Sequence, residues 1–262
     1  MGHSRIGALP ATRPWKAVVR TIADGADVAK VAEATLKAAE KAFTSVAKDA
    51  GFREAVNLLV ELGLAASKPD AAGEFAAAGV AIGESTSVVD VALAVGEALD
   101  ERIRATRDGQ TFGELANRAL VSAVTSHLQE RLHGLFAPTP EQVAGAMKDL
   151  GKKKEFGDLA RNFMAKLTNE ALGFFLSKTL GTQVGEGQQF ATMNQVGQFE
   201  AAMKTHCEEA SVIVQEFGAD WFSKHRYTEG GKISRKSAEG FGWVAMKKMK
   251  AELAMRAKSD GN

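Results

Sequence analysis

The chain has 262 residues, of which 45% are hydrophobic and 25% are charged, as in an ordinary folded protein. Its formal net charge of +1 excludes a uniformly cationic or anionic molecule. The single cysteine, Cys207, excludes an internal disulfide and a multi-cysteine metal site. Residues 1–14 lack the apolar stretch of a signal peptide, and no window is apolar enough for a transmembrane helix, so we expect a cytoplasmic protein.

Helical periodicity runs along almost the whole chain, and the alternation typical of strands is nearly absent. In chain order we predict a lead-in at 13–15, a helix over 27–48 ended by Gly51, a helical stripe over 52–64, a turn at 67–70, a small-residue segment over 71–82, and helices over 88–103, 111–134, 139–151 and 156–180. After a Gly-rich stretch at 181–187 we predict a helix over 190–217, a loop over 222–234 and a basic helix to Lys258.

Three helix starts carry local capping signals. Thr139 precedes Pro140 and Gln142, so it can cap a helix whose first position suits proline, with Gln142 completing a capping box. Thr111 and Glu114 have the same spacing. Ser234 or Ser237 is the predicted cap of the last helix.

These elements predict an all-α fold, a multi-helix bundle of about nine or ten helices with a basic C-terminal helical extension. The predicted organisation is a helical body over 1–180, a hinge or linker over 181–187 and a C-terminal region over 188–262. The stretches 112–118 and 156–162 resemble each other, which we interpret as two helices that begin alike, because a repeat protein needs about three copies.

Candidate catalytic residues are few. The run from His206 to Glu209 gathers reactive types, but adjacent helix positions point apart, so His206 and Cys207 do not form a nucleophile–base pair. His206 and Glu209 share a face and supply only two of the three or four ligands that a metal needs, and Cys207 is expected to be a buried small hydrophobe. His127 and His133 are predicted to be partly exposed helix residues.

The Gly-rich stretch at 181–187 lacks the Lys-Ser/Thr pair of a phosphate-binding loop and reads as a helix end and linker. We therefore predict no catalytic residues, no metal and no cofactor.

The C-terminal region carries the strongest signal for a partner. Between Lys224 and Lys258 there are ten Lys or Arg and three Glu, so this segment has seven excess positive charges and the remainder is net negative by six. The predicted partner-binding residues combine cations with aromatics: Trp221, Arg226, Tyr227, Lys232, Arg235, Lys236, Lys247, Lys248 and Lys250. Two alternatives stay open, in which these side chains pair with the acidic body or dock the last helix on the core.

The small residues over 71–99 allow close helix packing, and they also resemble the hairpin of a membrane-inserting protein. Acidic residues interrupt this segment, which favours a packed helix pair.

The predicted function is that of a non-enzymatic helical interaction or assembly protein, in which the C-terminal region engages an anionic or protein partner. A membrane-binding effector and a nucleic-acid-binding subunit are the alternatives, and a homo-oligomer is a further possible state. Under the first hypothesis, deletion of residues 221–262 abolishes partner binding and leaves the body folded.

Overall fold

The computed structural model describes residues 13–39, 48–83, 86–106, 112–132 and 137–259. Over these ranges it contains no strand, and an isolated bridge joins Val184 to Phe190. The prediction of an all-α multi-helix bundle is confirmed. The helices are α1 (Arg13–Ala23), α2 (Val28–Ala38), α3 (Ala50–Ala66), α4 (Ala71–Ala77), α5 (Val88–Ala105), α6 (Gly113–Arg131), α7 (Pro140–Asp149), α8 (Lys153–Leu180), α9 (Met193–Ala210), α10 (Val212–Thr228) and α11 (Arg235–Ser259), with a 3₁₀ turn at Gly181–Gln183.

The two most enclosed helices, α3 and α8, organise the core. Nearly every side chain of α3 is buried, as expected for a helix that is apolar on all sides, and it packs against α4, α5, α6 and α11. The longer α8 packs most extensively on α10 and α6 and also contacts α9. Its Phe156 ring stacks on Phe222 of α10, with ring centroids 4.1 Å apart. The C-terminal helices therefore pack onto the same core as the N-terminal ones.

The N-terminal boundaries differ from the predicted ones in two places. The predicted lead-in at 13–15 is the start of the full helix α1. Gly51 does not end a helix but lies in the first turn of α3, which Asp49 caps by accepting a hydrogen bond from the Phe52 N–H at 3.1 Å. The reason for glycine is close packing, since a Cβ on Gly51 would lie only 2.4 Å from the Cα of Gly113 in α6.

Local capping signals are the best predicted features. The Thr139 hydroxyl accepts from the Gln142 N–H, and the Gln142 side chain accepts from the Thr139 N–H, which confirms the capping box of α7. Ser234 is confirmed as the cap of α11, because its hydroxyl accepts from the Ser237 N–H at 3.2 Å. The predicted Thr111 cap and residues 40–47 of the predicted 27–48 helix lie outside the described residues.

The predicted helix over 190–217 is instead two helices. It breaks at Ser211, whose hydroxyl donates to the Glu208 carbonyl at 2.6 Å and so competes with the helical backbone pattern. The second of them, α10, then continues to Thr228 through much of the predicted 222–234 loop. The turn comes only at Gly230 and Gly231, whose φ angles of 65° and 80° favour glycine.

The 181–187 stretch leads from α8 to α9 through the 3₁₀ turn and the bridge between Val184 and Phe190. Phe190 is buried, and its ring centroid lies 5.7 Å from that of Phe199 in α9. The domain boundary proposed for this stretch stays a prediction.

Candidate functional site

The predicted C-terminal partner residues fall into two structural groups, and Trp221 belongs to the buried one. Its ring stacks between Phe241 of α11 and His225, with both centroid distances at 4.6 Å. Trp221 therefore fixes α10 against α11, and its ring is almost fully withdrawn from solvent.

Several of the predicted cations also make contacts within the fold. Arg235 forms an ion pair with Glu54 of α3, which ties the start of α11 to the core. The Lys248 ammonium lies 5.2 Å from the centroid of Phe217, and that of Lys247 lies 5.4 Å from the centroid of Trp243. Lys250 is half-buried on α11. Part of the positive charge predicted to meet a partner thus helps to hold α11 in place.

Two of the remaining predicted residues, Arg226 and Tyr227, line a polar cleft between the α3–α4 turn and the C-terminal end of α10, which we call the Lys68–Arg226 cleft. Its volume is about 570 Å³. Two cations and three hydroxyl groups line it, and no carboxylate does so among the residues that the structure describes. The lining consists of Ser67, Lys68, Ser223, Arg226, Tyr227, Gly230 and Gly231.

Close backbone packing assembles this cleft. Gly151, between α7 and α8, lies so near the end of α3 that a Cβ there would be 2.6 Å from the Ser67 nitrogen. The Arg226 Nη1 donates to the Gly151 carbonyl at 2.9 Å, and its guanidinium lies 5.5 Å from the Phe222 ring centroid. Across the cleft, Lys68 Nζ donates to the Gly231 carbonyl at 2.9 Å.

Both cations of the cleft are therefore fixed by neutral carbonyl oxygens, and no carboxylate of the described ranges forms an ion pair with either of them. An ammonium has three hydrogen-bond donors and a guanidinium has five, so each retains donors after its carbonyl bond. The arrangement keeps two positive charges in position without neutralising them, which is the requirement for binding an anion.

Three further predicted residues are exposed, and one of them lines the cleft. Tyr227 is 88% exposed and forms part of the cleft wall. Lys232 is exposed and lines an adjoining cavity of about 320 Å³, which also contains Glu61 and Glu74 and is therefore mixed in charge. Lys236 is exposed in the first turn of α11. The sequence identified Arg226 and Tyr227 but missed Lys68, whose partner Gly231 lies 163 positions away.

A second groove between α10 and α11, of about 430 Å³, contains Trp221 and Lys248 of the predicted residues. Glu216 and Asp220 share its lining with Lys224 and Lys248, so the groove carries both signs of charge. This groove is less suited to an anion than the Lys68–Arg226 cleft.

The His206–Glu209 run does not converge on a shared site. Cys207 is fully buried, as predicted, and burial raises the pKa of its thiol to about 12, so the reactive thiolate is disfavoured. Glu209 points to α11, where it accepts a hydrogen bond from Arg256 at 2.9 Å. His206 is buried in α9.

The prediction that His127 is partly exposed is wrong, because α6 packs this side chain against α8. His127 is 2% exposed, and its Nε2 lies 3.6 Å from Oε2 of the buried Glu155. Arg131 forms an ion pair with the other oxygen of Glu155. Burial is the main cause that lowers the pKa of His127, and the charge of Glu155 opposes it. The neighbouring candidate His133 lies outside the described residues.

Within the described ranges, no group of three or more His, Cys, Asp or Glu side chains is arranged to hold a metal ion. None of the helices found there is both long and apolar enough to cross a membrane. In the segment over 71–99, Phe75, Val91, Val95 and Leu99 are buried in the core, where α4 packs on α3 and α5 packs on α3 and α6.

The chain matches no known family model, no curated protein and no solved structure. Its function must therefore be inferred from its own residues and their geometry.

Proposed function

We propose that this chain is a non-enzymatic helical interaction protein that binds an anionic group of its partner in the Lys68–Arg226 cleft. The observation that carries the proposal is the composition of that cleft, in which two fixed cations and three hydroxyls meet without a carboxylate among the described residues. A phosphate or carboxylate group accepts hydrogen bonds from this set of donors, and arginine favours the two-pronged contact that planar or tetrahedral anions offer.

The two cations of the cleft are preorganised for an anion. Because Lys68 and Arg226 are already held by carbonyl bonds at 2.9 Å, less side-chain entropy is lost when an anion binds. A hydrogen bond to a charged group contributes about 1.5–3 kcal/mol, so the loss of both contacts should weaken binding measurably.

A partner that displays phosphate or carboxylate groups on a protein surface fits this proposal best. A nucleic acid is the alternative supported by a specific observation, because the 88% exposed Tyr227 ring beside the cations can stack on a base. We include a cytoplasmic location in the proposal, as expected from the sequence.

Affinity purification of the full chain from its native host, with half of each sample treated with nuclease, tests the proposal. The variant Lys68→Gln/Arg226→Gln removes both cleft cations. Lys16→Gln/Lys30→Gln is the matched control, because it removes two cations from α1 and α2, which do not line the cleft. Thermal unfolding establishes that both variants are folded.

We expect the wild type and the control to recover a stoichiometric partner that the cleft variant loses. A partner that survives nuclease identifies a protein, whereas loss with nuclease identifies nucleic acid. Recovery of the same partner by the folded cleft variant would refute the role of the cleft.

A further inference from the structure

Two helices expose large apolar side chains on their outer faces, and these faces carry opposite charge. On α5, Val89 and Leu93 are 66% and 59% exposed. On α11, Trp243 and Met255 are 53% and 61% exposed. Removal of apolar side chains of this size from water lowers the free energy. Exposed apolar side chains of this kind are therefore typical of surfaces that contact another molecule.

The outer face of α5 is acidic. Glu97 and Glu101 continue the line of Val89 and Leu93 at four-residue spacing, and both are exposed. Neither carboxylate forms an ion pair with any part of the chain that the structure describes. The α5 face therefore consists of two apolar side chains followed by two unpaired negative charges.

The outer face of α11 is basic. Lys236, Trp243, Lys247 and Met255 lie along one exposed line, and Gly240 and Ala251 are the small residues between them. The Lys247 ammonium lies over the Trp243 ring at 5.4 Å, so the cation and the aromatic form one surface. No carboxylate within the described ranges pairs with Lys236 or Lys247.

We propose that the α5 face of one copy of this chain docks on the α11 face of a second copy. The two faces cannot pair within one molecule, since α5 packs on α3 and α6 with its outer face in solvent, and α11 packs on α2, α3 and α10 with its own outer face in solvent. Opposite charge selects the second copy as the occupant, because each molecule offers one acidic and one basic face.

The spacing of the two faces agrees in one alignment. Leu93 and Glu97 are four residues apart, as are Trp243 and Lys247, which corresponds to about 6 Å along each helix. With the two helices parallel, Leu93 lies against Trp243 while Glu97 lies against Lys247. In that register Val89 falls opposite Glu239, whose carboxylate pairs with Arg53 of its own chain, and beside Gly240, which presents no side chain.

Such a contact joins two different surfaces, so it does not end with a dimer. After each addition the assembly still has one unused acidic face at one end and one unused basic face at the other. It therefore grows until it closes into a ring or continues as an open chain. This association is independent of the Lys68–Arg226 cleft, whose lining includes no residue of either face.

Sedimentation velocity over a concentration series, with a charge-exchange pair of variants, tests the proposal. Glu97→Lys/Glu101→Lys makes both faces basic, and Lys236→Glu/Lys247→Glu makes both faces acidic. All four positions are exposed, so circular dichroism and the unfolding temperature of the variants should match those of the wild type.

We expect the average mass of the wild type to rise with concentration. Each variant alone should associate at least about tenfold more weakly, because like charges then face each other. An equal mixture of the two variants should recover association, since each acidic face then meets a basic one. A wild type that is monomeric at every concentration would overturn the proposal. So would variants that associate as well as the wild type, or a mixture that stays as weak as its components.

Discussion

At His127, burial and the charge of a neighbouring carboxylate shift the pKa of the imidazole in opposite directions. Removal from water lowers the pKa of the imidazole from its ordinary value of 6.5, while the carboxylate of Glu155 raises it. Arg131 acts in the same direction as burial, and the carboxylates of Asp158 and Glu130 act against it. The net result is a lowered pKa, so the folded chain holds His127 in its neutral form at neutral pH.

This state makes stability depend on pH through His127. The imidazole takes up a proton near pH 6.5 in the unfolded chain and only at lower pH in the folded chain. The contribution of His127 to the free energy of unfolding is therefore complete above pH 6.5 and decreases as the pH falls below that value. We therefore expect the wild type to lose more free energy of unfolding between about pH 7.5 and about pH 5.5 than His127→Gln, which cannot take up the proton. Urea denaturation at the two pH values measures the difference, and equal losses in both proteins would contradict a neutral buried His127.

The sequence predicted the burial of Cys207 but not that of His127. The burial of Cys207 was correctly predicted, because a single free cysteine in an amphipathic helix behaves as a small hydrophobic residue. The burial of His127 was missed because it depends on Glu155, which lies on another helix and pairs with it only after α6 and α8 have packed. Spacing within α6 contains no information about that neighbour.

Among the elements, the closest approach of α8 and α10 depends on Gly157. A Cβ at this position would lie 2.5 Å from the Gln215 carbonyl oxygen and 2.9 Å from the Ala219 Cβ. The first of these atoms belongs to the backbone, so it cannot move away as a flexible side chain would. The two helices would have to separate to admit even one methyl group.

We expect Gly157→Ala to lower the free energy of unfolding by about 1–3 kcal/mol through overpacking. Gly173→Ala is the matched control in the same helix, because nothing lies within 4 Å of its Cβ position. Alanine there should raise the stability by about 0.5–1 kcal/mol through its higher helix propensity. Chemical denaturation of both variants measures the contrast, and effects of the same sign and size would contradict the close α8–α10 contact.

The helices that could be predicted are those whose signals are local. The capping box of α7 needs only Thr139 and Gln142, three positions apart, and it was found from the sequence alone. Gly51 was misread because a glycine can end a helix or allow two helices to touch, and the second use appears only when α6 is in place. The stretches at 112–118 and 156–162 show this too, since Gly113 approaches Gly51 and Gly157 approaches α10.

Across the whole molecule, the C-terminal region has two roles. Its inner side chains, including Phe222, Phe241 and Leu253, belong to the buried core, while Tyr227 and Lys236 face solvent. Deletion of 221–262 would remove part of the core, so the expectation that the shortened body stays folded has lost its basis. Point variants of the cleft separate binding from folding, which the deletion cannot do.

The candidate site could be predicted only in part, because it is assembled over the full length of the chain. The excess of positive charge and the aromatics directed attention to Arg226 and Tyr227. The other wall comes from Ser67 and Lys68 in the α3–α4 turn, and the bond from Lys68 to Gly231 spans 163 positions. This contact forms only when α3, α7 and α10 have packed together, so no local sequence pattern predicts it.

Calorimetric titration with pyrophosphate tests whether the Lys68–Arg226 cleft binds an anionic group, as we propose. We predict saturable binding of one pyrophosphate per chain to the wild type and to Lys16→Gln/Lys30→Gln. In Lys68→Gln/Arg226→Gln the affinity should fall by about tenfold or more, the loss expected when charged hydrogen bonds are removed. An unchanged affinity in the folded cleft variant, or no saturable binding to the wild type, would show that the cleft is not an anion-binding site.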